Sequence, residues 1–460
     1  MSWNTHALLT LSAIRSELSP LLGREVTVIP LEEFLAETSR DLGPIVERYH
    51  GRLRYRIKSH GEMQGHRRLR HGVSFPLPLP PPARGGDLKT LPPCGGGKGG
   101  GEVGLKRKCR FQCDDLNYSK AGPAEEIRTV DRFLDAMRIS PQTALHYVRI
   151  RGVDEVSGDA AHDPSRSGPP GGSYVETGRN KAMTARDVLC TFSDEPDWGM
   201  DQDLFLIEKY GYGEPPYGGA SGLSSQAAFH MAFFRENPLL FRLLPRLRLS
   251  FMEERIRVFL DLANLAFTHG SDYWGWRFTA WAMHYVQDVT QPYHARAFPF
   301  PLYKVFLRFI NSGNLATFVE KHQNLLRNRH TLFEAAIHFM LNAAAKHREP
   351  HPFLLALADA GEAFSGSLRS VMKAAARAPA RLNRSIDRSL VKLMRDPRFD
   401  DPTYDLVEDD SYRIEVALAD AISNRPREFG RFVELVRVCF VATGKVTRYV
   451  IRKVQSWVRT

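Results

Sequence analysis

The stretch from Trp274 to His294, WGWRFTAWAMHYVQDVTQPYH, constrains this chain more than any other, because it puts three potential metal ligands into one short helical segment. His284 and Asp288 are four residues apart, so a helix carries them on one face. His294 lies six beyond Asp288, about 240° further round an ideal helix, and cannot share that face without a bend. Pro292 predicts the bend, since proline lacks a backbone donor and clashes with the preceding turn. The competing reading is an amphipathic core helix that carries two histidines for packing alone.

A second pair has the same spacing. His330 and Glu334 again sit one helical turn apart, in an apolar-periodic run through Ala335, Ile337 and Phe339. Imidazole with carboxylate at that spacing suits zinc, which takes nitrogen and oxygen donors at about 2.0–2.2 Å. His322, between Lys321 and Gln323, reads as a solvated face residue.

Upstream, Asp194, Glu195, Asp197 and Asp201 crowd a turn-rich stretch of a basic protein, and such carboxylates repel one another unless a cation or arginine compensates them. A surface loop capping a helix at Gln202 to Tyr210 accounts for one or two of them. His230 sits inside the apolar run Gln226–Phe234, where a single histidine is more often a satisfied core residue than a ligand. The formal net charge of +11 favours anionic partners: phosphodiesters, nucleic acid or an acidic membrane surface. Five cysteines (Cys94, Cys109, Cys113, Cys190, Cys439) form no repeated CxxC pattern and argue against a disulfide framework. The start, MSWNTHALLTLSAI, does not read as a signal peptide, and no apolar run is long enough to span a bilayer. Cytoplasmic residence is therefore the default expectation, with secretion open if the start is incomplete.

Helical periodicity dominates and strand alternation is scarce, so the expected fold class is all-α. Apolar positions predict a helix from about Trp3 to Ile14, with His6 in its first turn, and another from Leu31 to Arg52. The expected organisation is a metal-bearing helical domain from 1–58 and 181–349. Residues 59–125, rich in proline and glycine, read as a disordered insertion. A helical segment follows over 126–153, packed on that domain, then a flexible insertion over 154–180 and a basic helical extension over 350–460. The last thirty residues carry seven basic side chains against one acid, Glu434, interleaved with Phe432, Val436, Phe440 and Trp457. They read either as a packing helix with a solvated basic face or as an amphipathic helix touching lipid headgroups.

In chain order the sequence shows Trp3-x-x-His6, the acidic Pro196-Asp197 element, Ala228-Phe229-His230, HYxxDxxQPxH from His284 to His294, and NxHxxxE from Asn328 to Glu334. This pattern resembles the zinc-dependent bacterial phospholipase C family, related to the fungal single-strand-specific zinc nucleases, over roughly residues 3–20 and 184–340. The resemblance implies a multi-helix bundle with two or three Zn2+ ions. One would be held by Asp197, His230, His284 and Asp288, and a second by His294, His330 and Glu334. A third would be shared between Asp288 and His6. Asp194 is the reserve for Asp197. The family completes the third site with an N-terminal tryptophan, whereas Trp3 here follows Met1 and Ser2. The wider gap between Asp197 and His230 implies an inserted loop at Tyr210 to Gly222.

The implied reaction is phosphodiester hydrolysis by a metal-bound hydroxide, with Asp197 and Asp288 as the catalytic carboxylates. Glu334 matches the phospholipase branch, so glycerophospholipid is the expected substrate. A nuclease or other phosphodiesterase is the first alternative. A non-catalytic helical protein that binds membranes or partners through its basic tail is the second.

Overall fold

Residues 5–14, 16–71, 127–150, 174–347 and 351–458 are described in the computed structural model, and among them the protein is helical with two short two-stranded pairings. The chain opens with α1 (Thr5–Ala13), the single turn α2 (Ser19–Leu22) and strand β1 (Glu25–Thr27). Two helices, α3 (Leu31–Thr38) and α4 (Leu42–His71), replace the one expected from Leu31 to Arg52. Pro44 gives the reason. It has no amide to donate backwards, so helix must restart where Pro44 falls in a first turn and needs no partner. α4 then runs past Ser59, the expected start of the first insertion, to His71. The rest of that expected insertion, 72–125, lies outside the described residues.

The helix expected across 126–153 is also shorter. Thr129 caps α5 (Val130–Ala136) by accepting from Arg132 N, and the chain leaves helix at Arg138, whose φ is +49°. β2 (Val148–Ile150) pairs antiparallel with β3 (Tyr174–Glu176), Val148 opposite Glu176, and β4 (Ala182–Thr184) pairs with β1, Glu25 opposite Thr184. Part of the expected second insertion is thus sheet. Its residues 154–173 are not among the described residues.

The long helical run comprises α6 (Ala185–Phe192), α7 (Ala227–His230), α8 (Pro238–Leu243), α9 (Met252–Thr268), α10 (Asp272–Asp288), α11 (Pro292–Ala295), α12 (Leu302–Asn311) and α13 (Leu315–His347). Then come α14 (Pro352–Ala358), α15 (Leu368–Ala375), α16 (Arg377–Met394), α17 (Ile414–Asn424) and α18 (Pro426–Gln455). Every residue of α10 from Tyr273 to Asp288 is buried, against α9, α6 and α18. Trp274, Trp276 and Trp281 are fully buried there. A ring of that size removes about 200 Å² from water, worth about 5 kcal/mol before ordering entropy. Gly275 permits the α9 approach, because a Cβ at that position would stand 2.5 Å from the Phe267 ring.

The C-terminal helix takes the packing role of the two considered. Phe432, Val436, Phe440, Val450 and Val454 are buried, and a Cβ on Gly444 would meet Leu357 O at 2.5 Å, so α14 and α18 are in close contact. Arg448 is fully buried and donates to the carbonyls of Ala13 (3.1 Å), Leu357 (3.0 Å) and Gly361 (2.9 Å). A buried guanidinium needs such acceptors, and these tie the end of the chain to α1. No helix among the described residues is long and apolar enough to cross a membrane.

Candidate metal centre

α10 ends at Asp288, as the sequence predicts, and a new helix begins at Pro292. The Gln291 side chain caps it, accepting from Tyr293 N (2.5 Å) and His294 N (3.2 Å), with Pro292 in the first turn where its missing amide is harmless. This turn swings His294 back, and its Nδ1 comes to 3.1 Å from Asp288 Oδ1. The other Asp288 oxygen lies 3.0 Å from His230 Nδ1 and 3.4 Å from His284 Nε2.

Four atoms therefore converge: His230 Nδ1, His284 Nε2, Asp197 Oδ1 and Asp288 Oδ2. The two nitrogens are 3.0 Å apart, and Asp197 Oδ1 is 3.6 and 3.4 Å from them. A tetrahedron of donors around zinc has edges of about 3.3 Å for bonds near 2.05 Å, so these separations match a tetrahedral set. A second set joins His294 Nε2, His330 Nε2 and Glu334 Oε1, with separations of 3.0, 3.7 and 2.9 Å. His6 Nε2 is 3.7 Å from Asp288 Oδ1, and the His6 ring lies over that of His284 at 4.0 Å. All eight residues that the sequence nominates thus come together. Seven line a single cleft of 1710 Å³, and His284 sits directly behind them.

Backing contacts fix which nitrogen faces the centre. His284 Nδ1 donates to Ser193 O at 2.8 Å, and His6 Nδ1 to Gln287 Oε1 at 2.9 Å. His230 turns Nε2 toward Asp201 Oδ2 (3.3 Å), and His294 turns Nδ1 toward Asp288. Each opposite nitrogen then presents a lone pair inward, as in carboxylate–histidine–metal triads. Two imidazole lone pairs 3.0 Å apart are compatible only with a proton or a cation between them. Burial alone would lower the pKa of His230, but Asp201 and Asp288 outweigh it and hold the ring at about 10. His284 is likewise raised, by Asp197 and Asp288 against its burial, and both carboxylates are pulled well below the usual range by the facing imidazoles despite theirs. Glu334, only partly buried, is drawn down to about 2 because His330 outweighs its partial desolvation. His6, with no such excess of acid, is lowered to about 4 by burial and by His284.

The acidic stretch sorts into four tasks. Asp194 faces away from the centre and accepts from His6 N (2.8 Å), Ala7 N (3.3 Å) and Tyr174 OH (2.6 Å). It is a cap for α1 supplied from a distant part of the chain, so Asp197 and not its reserve joins the cluster. Glu195 binds Arg277 and accepts from Trp281 Nε1 at 2.5 Å. Asp201 holds Arg255 and accepts from Tyr285 OH, both at 2.5 Å. Two arginines therefore compensate two of the acids, Asp201 also meeting His230 from behind, and Asp197 is the one that faces the inward imidazole nitrogens.

His322 is corrected. It is buried, not solvated, with Nδ1 donating to Phe318 O (2.8 Å) and its ring 4.1 Å from that of Phe318. It lines the cleft but joins neither set. Between Leu204 and Tyr210 two short 3-10 turns stand where a helix was expected, and 214–224 forms an irregular cleft wall. Trp3 and Ser2 fall outside the described residues. Sequence reasoning passed over Asp201, Gln287 and Gln291 as positioning residues, although all three stood in stretches it had singled out. It had no signal for Thr443 and Thr447 of α18, whose hydroxyls meet Thr290 (2.7 Å) and Gln287 (2.9 Å) behind the site. Comparison with family models, curated proteins and solved structures finds no match for the chain.

Proposed function

We propose that this protein is a zinc-dependent phosphodiester hydrolase of the phospholipase C type. The observation that carries the reading is the convergence of two donor sets, joined through Asp288 and His294, on one wall of a large cleft. Asp197, His230, His284 and Asp288 would hold one ion, His294, His330 and Glu334 a second, and His6 with Asp288 would contribute to a third. Such ions neutralise the phosphodiester and lower the pKa of bound water to about 7. The chain supplies the rest. Asp197, whose side chain reaches the cleft, is our candidate to accept a proton, and Asp288 fixes the spacing between the two sets. Beyond the donors the cleft is walled by Tyr217, Phe233, Leu244, Leu247, Phe298 and Phe440, with Arg246 and Arg327 among them. Its volume exceeds the roughly 300–1,000 Å³ of an ordinary small-molecule site. An apolar space of that size fits acyl chains, which favours a glycerophospholipid.

The net charge of +11 favours nucleic acid as the second reading, a single-strand nuclease using the same ions. Metal analysis of the purified protein, followed by hydrolysis of phosphatidylcholine and of single-stranded DNA with and without chelator, tests both. The expected outcome is at least two zinc ions per chain and release of the phosphorylated headgroup, abolished by chelator and restored by zinc. DNA cleavage without lipid cleavage would select the nuclease. A protein that binds no metal, or one that turns over neither substrate when loaded, would end the proposal.

A further inference from the structure

α12, residues Leu302–Asn311, is an amphipathic helix with a second apolar face turned outward. Val305 is buried, and Phe309 packs on Phe318 at 5.6 Å, which accounts for the inner side. On the outer side Tyr303, Phe306, Leu307 and Ile310 follow the i, i+3, i+4, i+7 spacing of one helical stripe. They are 61%, 37%, 54% and 68% exposed. α8 continues the patch with Leu239 and Leu243, and the two helices share a satellite apolar core built on Leu240, Phe298, Phe300 and Phe318. Leu243 also lines the cleft, so α8 borders both the patch and the cleft. Contiguous exposed apolar surface of this kind marks an interaction site.

Charge selects the occupant. Neither α8 nor α12 contains an acidic residue, and Lys304 and Arg308 flank the stripe along one edge of α12, about 100° and 140° round from Tyr303. Arg242 and Arg248 flank α8, with Arg248 over the Phe241 ring at 5.2 Å and Arg308 over that of Phe300 at 4.4 Å. An outward apolar stripe edged by cations, with Lys304 exposed beside it and two guanidiniums stacked on aromatic rings, is the arrangement of a helix seated at an anionic lipid surface. α18 lacks it, since most of its apolar residues are buried and, of its described large hydrophobics, Val438 alone is exposed.

We propose that α8 and α12 dock the protein on anionic phospholipid bilayers, with the cleft mouth facing the membrane. This deepens the phospholipase reading by naming a bilayer-borne substrate, yet docking does not require turnover. The test is co-sedimentation of full-length protein with phosphatidylglycerol/phosphatidylcholine vesicles and with pure phosphatidylcholine vesicles. Leu307→Glu with Ile310→Glu is expected to weaken binding to the mixed vesicles at least tenfold, while hydrolysis of soluble bis(p-nitrophenyl) phosphate is unchanged. Lys304→Gln should reduce the preference for anionic vesicles. If the double variant misfolds, Ile310→Trp replaces it, and its emission should shift to the blue when mixed vesicles are added. Vesicle binding that follows the patch in a protein without phosphodiesterase activity would keep the docking and remove the hydrolase reading. Unchanged binding in the double variant, no blue shift, or a patch that instead mediates dimerisation without vesicle binding would overturn the docking.

Discussion

The two donor sets are built differently, and the difference indicates where chemistry can occur. Asp197, His230, His284 and Asp288 form a closed set of four protein donors over the first hydrophobic core, with Ser193 O and Asp201 fixing their imidazoles. His294, His330 and Glu334 supply only three, over a second core that holds Tyr293, Leu332 and Phe333. His330 is stacked on Tyr293, whose hydroxyl donates to Asp387 (2.9 Å), a carboxylate that also takes Arg329 (2.7 Å). Structural zinc sites have four protein ligands, whereas catalytic ones keep a position for water or substrate. On the proposed zinc reading the first set would have the composition of an anchor and the second that of a reacting site, with Asp288 spanning them.

Asp288→Asn breaks the comparison at its hinge and carries the largest expected effect: metal lost from both sets and several kcal/mol of charge stabilisation removed, about a thousandfold in turnover. Glu334→Gln should remove metal from the second set alone and leave the first loaded. Metal analysis with turnover measurements checks both, and equal metal loss in the two variants would mean that Asp288 does not link the sets. Asp201→Asn sharpens the contrast from the other side, since it touches no ligand atom facing the centre. It should weaken metal binding by about 10–100-fold in the first set, read by competition with a chromogenic chelator, without shifting the second.

The smallest effect is on stability. His50, on α4, donates to Ala136 O (2.8 Å), and His322 lines the cleft. Burial holds both imidazoles at about 4, below the 6.5 of an exposed ring. Both are thus neutral in the folded protein and gain protons on unfolding below pH 6.5. Their contribution is complete above pH 6.5, declines as pH falls through that window and is spent by about pH 4. Each should account for at most roughly 3–4 kcal/mol, for a pKa lowered by about 2.5. Urea unfolding between pH 7 and pH 4 should show a shallower loss in His50→Gln than in the parent, and identical slopes would refute the assignment.

The ligand candidates were legible because helical periodicity is local. Spacings of four between His284 and Asp288 and between His330 and Glu334, with the bend at Pro292, can be read without a fold. The solvated reading of His322 failed for the opposite reason: its polar sequence neighbours say nothing about Phe298 and Phe300, which close over it from outside α13 while Phe318 packs on it one turn back. Asp194 could not be told from Asp197 in sequence either. What separates them is α1, whose first amides lie 188 and 187 residues away along the chain.

By itself, then, the sequence determined the helical class, the pairs of donors one turn apart and the turn at Gln291-Pro292, all consequences of backbone geometry over a few residues. The tertiary structure decided which acid met an arginine and which met the imidazoles, where the C-terminal helix was buried, and that α12 turned an apolar stripe outward. Those outcomes depend on which surfaces distant segments present to one another, and burial and charge compensation are properties of that assembled neighbourhood, not of any one stretch of chain.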